Sequence, residues 1–186
     1  MNRLLRLAAC AIIAATAVWT ISHLYGVYRC NIEARRAERE VIHLFSVNNE
    51  ITARIVARRT LDSMNGCIAC VRTDVNQYMI RAAALRMLER PAEAATDYRR
   101  ALRFDRRAEL YLNLGQAELE AGRPDAAEDA FITAIYLTYS YIEDLPEPLQ
   151  SRVRSAVTPT YLSVQEGRAP ASVAEELRQR VARDPR

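Results

Sequence analysis

The sequence predicts an all-α protein, and three observations predict it. Long stretches are dominated by Ala, Leu, Arg and Glu, all good helix formers. Only five Gly occur in 186 residues, and no stretch joins apolar–polar alternation to a hairpin turn. The third is an internal echo, in which the run from Arg90-Pro91 to Leu102 returns thirty-three residues on, from Arg123-Pro124 to Ile135. A period of this size marks a supersecondary unit that buries its apolar face only by stacking on a copy of itself. The 26 basic residues, all Arg, exceed the 23 acidic ones by only three and are interspersed with them. That distribution gives no concentrated positive field and excludes nucleic acid as a partner.

The first element is an apolar segment. Leu7 to Tyr28 carries no formal charge and, at about 1.5 Å per residue, crosses a hydrocarbon layer of about 30 Å. Trp19, Tyr25 and Tyr28 gather toward its far end, where aromatic rings favour the lipid–water boundary, and Arg29 closes it. Residues 1–28 therefore read as a signal anchor or transmembrane helix. A cleaved signal peptide is the rival, with Arg3 and Arg6 as its basic head and Ala15-Thr16-Ala17 as a cleavage-like site. The apolar run continuing through Val18, Trp19, Ile21 and Leu24 favours the anchor. Leu7-Ala8-Ala9-Cys10 has the look of a lipoprotein box, but its Cys precedes most of the apolar run. Arg29, Arg35, Arg36 and Arg39 would by themselves keep the body in the cytoplasm. The short basic head and the Cys pair described below point instead to export, giving a single-pass inner-membrane protein with a periplasmic body.

Residues 29–66 form a helical connector and amino-terminal cap. Ile51, Ile55, Val56, Arg59 and Leu61 supply an imperfect helical face over Asn49–Met64, and Asn65-Gly66 ends it. His43, between Ile42 and Leu44, reads as an interface or capping residue with no evident partner.

Residues 74–137 hold the two copies. In the second, from Ala108, Tyr111 is a large aromatic, Leu114-Gly115 brings a small residue to a close helix approach, and Gly122 suits a turn at positive φ. Pro124 suits a helix start, while Ala127, Phe131 and Ala134 run down the second helix. This pattern resembles the tetratricopeptide repeat family. The first copy resembles it through Ala94, Tyr98 and Ala101; its leading helix has Arg81 or Ala82 where Leu-Gly would stand, and Glu89 at the turn. The resemblance implies a right-handed stack of antiparallel helix pairs. It also implies a groove for segments of partner proteins, lined by Glu109, Leu112, Asn113, Gln116 and Leu119, with Glu120 beside them. Asn113 can pair with both the N–H and C=O of an extended ligand backbone. Glu109 and Leu112 stand where a clamp for carboxy-terminal carboxylates would need basic side chains, so that clamp is disfavoured.

Two repeats need caps. After the break at Asp144-Leu145-Pro146-Glu147-Pro148, residues 138–186 supply Leu149, Val153, Ala156 and Val157 at helical spacing, then a last helix from Ser172 with Val173, Leu177 and Val181. Tyr136, Tyr139 and Tyr141 either stack on that cap or form a contact patch.

Cys67-Ile68-Ala69-Cys70 is the sharpest chemical pattern. A structural disulfide pinning the loop before the first repeat is its first reading, buried thiols the second, and redox or metal work the third. No strand precedes it, as a thioredoxin-like site would require, and no second pair completes a zinc set. With no nucleophile elbow, phosphate loop or paired carboxylates in a defined setting, no enzyme and no cofactor are expected. The sequence thus predicts a membrane-anchored scaffold for protein–protein interaction, with self-association open to it, in a bacterial envelope assembly or export system. An exported thiol-redox or metal-binding protein and a cleaved soluble periplasmic adaptor are the alternatives.

Overall fold

The structure, a computed structural model, describes residues 3–44, 50–70 and 74–165, with side chains placed for 11–40, 50–69 and 74–159. The described residues are helical and connected by short turns, with no strand among them: α1 (Arg3–Leu44), α2 (Glu50–Cys70), α3 (Val75–Met87), α4 (Pro91–Leu102), α5 (Ala108–Glu120), α6 (Pro124–Leu137), a 3-10 turn (Tyr139–Asp144) and α7 (Leu149–Gln165).

α1 is a single helix of 42 residues, about 63 Å long at about 1.5 Å per residue. Every residue from Ala11 to Tyr25 is exposed, and the segment is long and apolar enough to cross a membrane or to serve as a signal sequence. Two of its hydroxyls bond back to the helix: Thr16 donates to the Ile13 carbonyl and Thr20 to the Ala17 carbonyl, each at 2.9 Å. Beyond Tyr28 the same helix continues without a break. Ala, Arg and Glu favour it, an Arg36–Glu40 pair at 2.9 Å braces one turn, and Cys30, Ala34 and Ala37 become buried.

α2 returns along α1. Ser63 Oγ meets Glu33 Oε2 at 3.0 Å, and the Cys67 thiol meets the Cys30 carbonyl at 3.7 Å, so residue numbers on the two helices sum to 96 or 97 at contact. Two expectations are corrected here. Asn65-Gly66 does not end the helix, which runs on to Cys70. Burial of Met64 and Cys67 on either side of Gly66 holds it, outweighing the roughly 1 kcal/mol that an interior Gly costs. The buried stripe is Ala57, Thr60, Met64 and Cys67; of the expected face, Leu61 packs half-buried on the first core and Val56 is half-buried, whereas Arg59 is exposed and Ile51 and Ile55 are 74% and 60% exposed. The face that meets α1 sets Met64 and Cys67 against Cys30, Ala34 and Ala37.

The two copies fold as matching pairs, α3–α4 and α5–α6. Asp74 caps α3 by accepting from the Asn76 N–H at 2.9 Å, and Pro91 and Pro124 open α4 and α6. The turn between paired helices closes identically in both. The Arg90 N–H reaches the Leu85 carbonyl, and the Arg123 N–H the Glu118 carbonyl, each at 2.9 Å. Both turns place the preceding residue at positive φ, +59° for Glu89 and +74° for Gly122. Tyr78, Leu85, Tyr98, Leu102, Leu110, Tyr111 and Leu114 join, with Ala130 and Ala134, in one core spanning α3 to α6.

A second core joins α6 to the cap through Phe131, Ile135, Ile142, Leu149, Val153 and Val157. Ala156 is exposed instead of joining it, because Leu149, Val153 and Val157 form an every-fourth-residue stripe and Ala156 points about 100° away from Val157. Tyr136, Tyr139 and Tyr141 lie half-buried on this core, and Tyr139 Oη is 3.0 Å from Thr158 Oγ1. Ser172, Val173, Leu177 and Val181 lie outside the described residues.

Candidate functional site

On α5, Glu109, Asn113, Gln116 and Glu120 follow one another at four- and three-residue steps and share a stripe. Glu109 and Glu120 are exposed, and Asn113 and Gln116 are half-buried. Leu112 and Leu119, expected beside them, turn into the seams: Leu112 packs on both main cores and Leu119 on the carboxy-terminal one. The expected lining thus resolves into a polar stripe flanked by two apolar side chains already engaged in packing.

Arg86 of α3 crosses to this stripe. Its Nε and Nη2 hold the two Glu120 carboxylate oxygens at 2.9 and 2.5 Å, and Nη1 donates to Gln116 Oε1 at 3.1 Å. The Glu120 hydrogen bond, partly opposed by burial, raises the Arg86 pKa above its ordinary value. Burial also lifts the Tyr98 phenol above its ordinary 10, while Arg86 pulls it back in part. The fork is bidentate, so it fixes α3 relative to α5 and neutralises Glu120. Glu109 and Asn113 are left as the accessible polar end of the stripe.

Of the residues expected to pack the repeats, Gly122 is exposed at its turn. Tyr98, Ala101, Tyr111, Leu114 and Ala134 are buried in the first core; Ala127 and Phe131 are buried in the second. A Cβ at Gly115 would lie 2.5, 2.6 and 2.9 Å from three ring carbons of Phe131. Two features escaped the sequence reading. Tyr78 is buried in α3 thirty-three residues before Tyr111, and searching the offset from Tyr111 backwards would have found it. The buried carboxylates Asp97 and Glu118 carry no such signal. Arg81 grips Asp97 through Nε (2.7 Å) and Nη2 (2.6 Å), and Glu118 is held between Arg99 and Arg123. Hydrogen bonding to Asp97 raises the Arg81 pKa. Both networks join neighbouring helices and are architectural.

A second accessible face lies on α2. Ile51 and Ile55 are exposed, and Ile55 borders an open depression of about 720 Å³ lined also by Arg54, Arg58, Arg59, Leu61, Asp62, Leu88 and Arg90. Arg54 is paired with Glu50 at 3.0 Å and Glu89 at 2.5 Å, and Arg90 with Glu93 at 2.7 Å.

Cys67 and Cys70 stand on the last turn of α2, not in a loop. Cys67 is buried with Cys30 and Ile80, and the side chains of Cys70 and His43 lie outside the described residues. Among the described residues no three His, Cys, Asp or Glu side chains are grouped to hold a metal ion. No protein-family model and no curated protein matches this chain.

Proposed function

We propose that this protein is a membrane-anchored scaffold whose tetratricopeptide-like stack of helix pairs holds partner proteins. The carrying observation is α1. From Ala11 to Tyr25 it exposes apolar side chains all around, while farther along it buries Cys30, Ala34 and Ala37 within the stack. Apolar exposure over about four turns is unfavourable in water by about 25 cal/mol per Å² and favourable in lipid. A continuous helix then joins the bilayer to a body that presents two accessible faces, the Glu109–Asn113 stripe and the Ile51–Ile55 edge. Binding, with no chemical step, is the mechanism: side-chain amides and carboxylates satisfy a partner's backbone, and the exposed isoleucines supply apolar contact.

The test is membrane fractionation of the full chain with a photo-crosslinking side chain at Asn113, at Ile55 or, as a control, at Ser155. The reading expects retention in the membrane after alkaline extraction and discrete protein adducts from Asn113 or Ile55 but not Ser155. Release of the full-length chain would remove the anchor, and identical labelling at all three positions would remove the scaffold.

A further inference from the structure

The contacts between helices fix how far each reaches toward the start of the body. Ser63 with Glu33 and Cys67 with Cys30 put α2 and α1 in an antiparallel register summing to 96 or 97, so Cys70 at the end of α2 stands level with Gly26 or Val27. On α3, Arg81 Nη1 reaches Asn65 Oδ1 at 3.0 Å; on α4, Asp97 receives the Arg81 fork. Following Asp97 to Arg81, Asn65 and then α1, Leu102 at the end of α4 is also level with about Val27. Independently, Arg107 Nη2 lies 3.5 Å from Met79 Sδ in the second turn of α3, toward this same end.

The α4–α5 turn is therefore presented at the height where α1 passes its aromatic residues Tyr25 and Tyr28. The turn reads Arg103-Phe104-Asp105-Arg106-Arg107. Arg103 is exposed, Phe104 is 50% exposed, and Arg107, paired with Asp105 at 2.9 Å, is also exposed. An exposed aromatic ring between arginines suits the lipid–water boundary, where the ring enters the headgroup layer and guanidinium groups meet phosphates. Salt screening extends over about 8 Å at physiological strength, so arginines at this height still feel an anionic surface.

We infer that the α4–α5 turn is a second membrane contact, in which Phe104 inserts among headgroups and Arg103 and Arg107 take anionic phospholipid. The inference rests on the reading that α1 crosses the bilayer. It makes the body lean on the membrane along one edge while the turns at Glu89 and Gly122 stay in water.

The experiment uses the full chain in nanodiscs of phosphatidylcholine, alone or mixed with phosphatidylglycerol, with and without brominated acyl chains. Trp19 of the unaltered protein reports on α1. Phe104→Trp and Asp125→Trp, each in a Trp19→Phe background, report on the turn and on the opposite end of the stack. Trp at 104 should be quenched about twofold by brominated lipid and Trp at 125 left unchanged. Quenching at 104 should be strongest with phosphatidylglycerol and lose that preference when Arg103→Glu and Arg107→Glu are added. Quenching of Trp19 with none at 104 overturns the second contact and leaves the anchor intact. Absence of quenching at Trp19 removes anchor and contact together. Quenching at 104 that is indifferent to phosphatidylglycerol overturns the anionic-headgroup assignment.

Discussion

Replacing Gly115 with Ala sets two known quantities against each other. Alanine is favoured over glycine inside a helix by about 1 kcal/mol, so at an open position the change would stabilise α5. At this position the new Cβ would stand 2.5 to 2.9 Å from three carbons of the Phe131 ring, which is fully buried between α6 and the cap. Overpacking of a filled core costs about 1–3 kcal/mol. With three ring atoms in conflict the cost belongs in the upper part of that range, leaving a net loss of about 1–2 kcal/mol. A chain of this size loses about 2–4 °C of thermal midpoint per kcal/mol, so Gly115→Ala should melt about 2–8 °C lower. Phe131→Leu alone should also destabilise, by about 1–2 kcal/mol, through lost contact and residual cavity. In the Gly115→Ala background it should cost at least about 1 kcal/mol less, because it removes the conflict. Denaturant titration of the four proteins, followed by far-UV circular dichroism in one detergent, measures the cycle. Additive effects, or a stabilising Gly115→Ala, would refute the close approach of α5 to the Phe131 ring.

Asp97→Ala should cost about 3–5 kcal/mol, since it strands the Arg81 guanidinium in a largely buried site, and loss of the cooperative unfolding transition measures it. Gln77→Leu should stabilise by about 1–2 kcal/mol, because both amide atoms of this fully buried side chain lack a hydrogen-bond partner; a lower denaturation midpoint would show that the amide is satisfied after all. Tyr98 has a folded pKa raised above its ordinary 10 by burial. Its contribution is therefore fully present below pH 10 and lost as pH rises from there through the folded value, and Tyr98→Phe should flatten that alkaline limb in a stability–pH profile.

The sequence made the helical class, the two matched pairs and their turns legible because each rests on a local signal: a Pro at a helix start, a Gly at positive φ, an Ala or aromatic at fixed spacing. Glu89 shows the limit. Its left-handed conformation is not favoured by its own side chain; the Arg90-to-Leu85 bond and the Arg54 pair impose it. The face of α2 was misread for a related reason. Hydrophobicity selected Ile51 and Ile55, but the residues buried over this stretch are the small Ala57 and Thr60. Gly66 promised a helix end that burial on both sides overrode. Of the candidate groove, the polar stripe came from the resemblance to the repeat family, which places Glu109, Asn113 and Gln116 together. The Arg86 fork was not legible, because a contact between residues 86 and 120 depends on how two repeats stack, which no local pattern encodes.

If α1 crosses the bilayer, as proposed, its unbroken course makes the anchor also a ruler. Continuing the α1–α2 register outward, Ile55 stands level with a position about thirteen residues past Tyr28, hence about 20 Å above the boundary that this reading places there. Any molecule gripping that edge is set at this height and at one bearing about the helix axis, and to reach it from another side the whole anchor must roll in the bilayer.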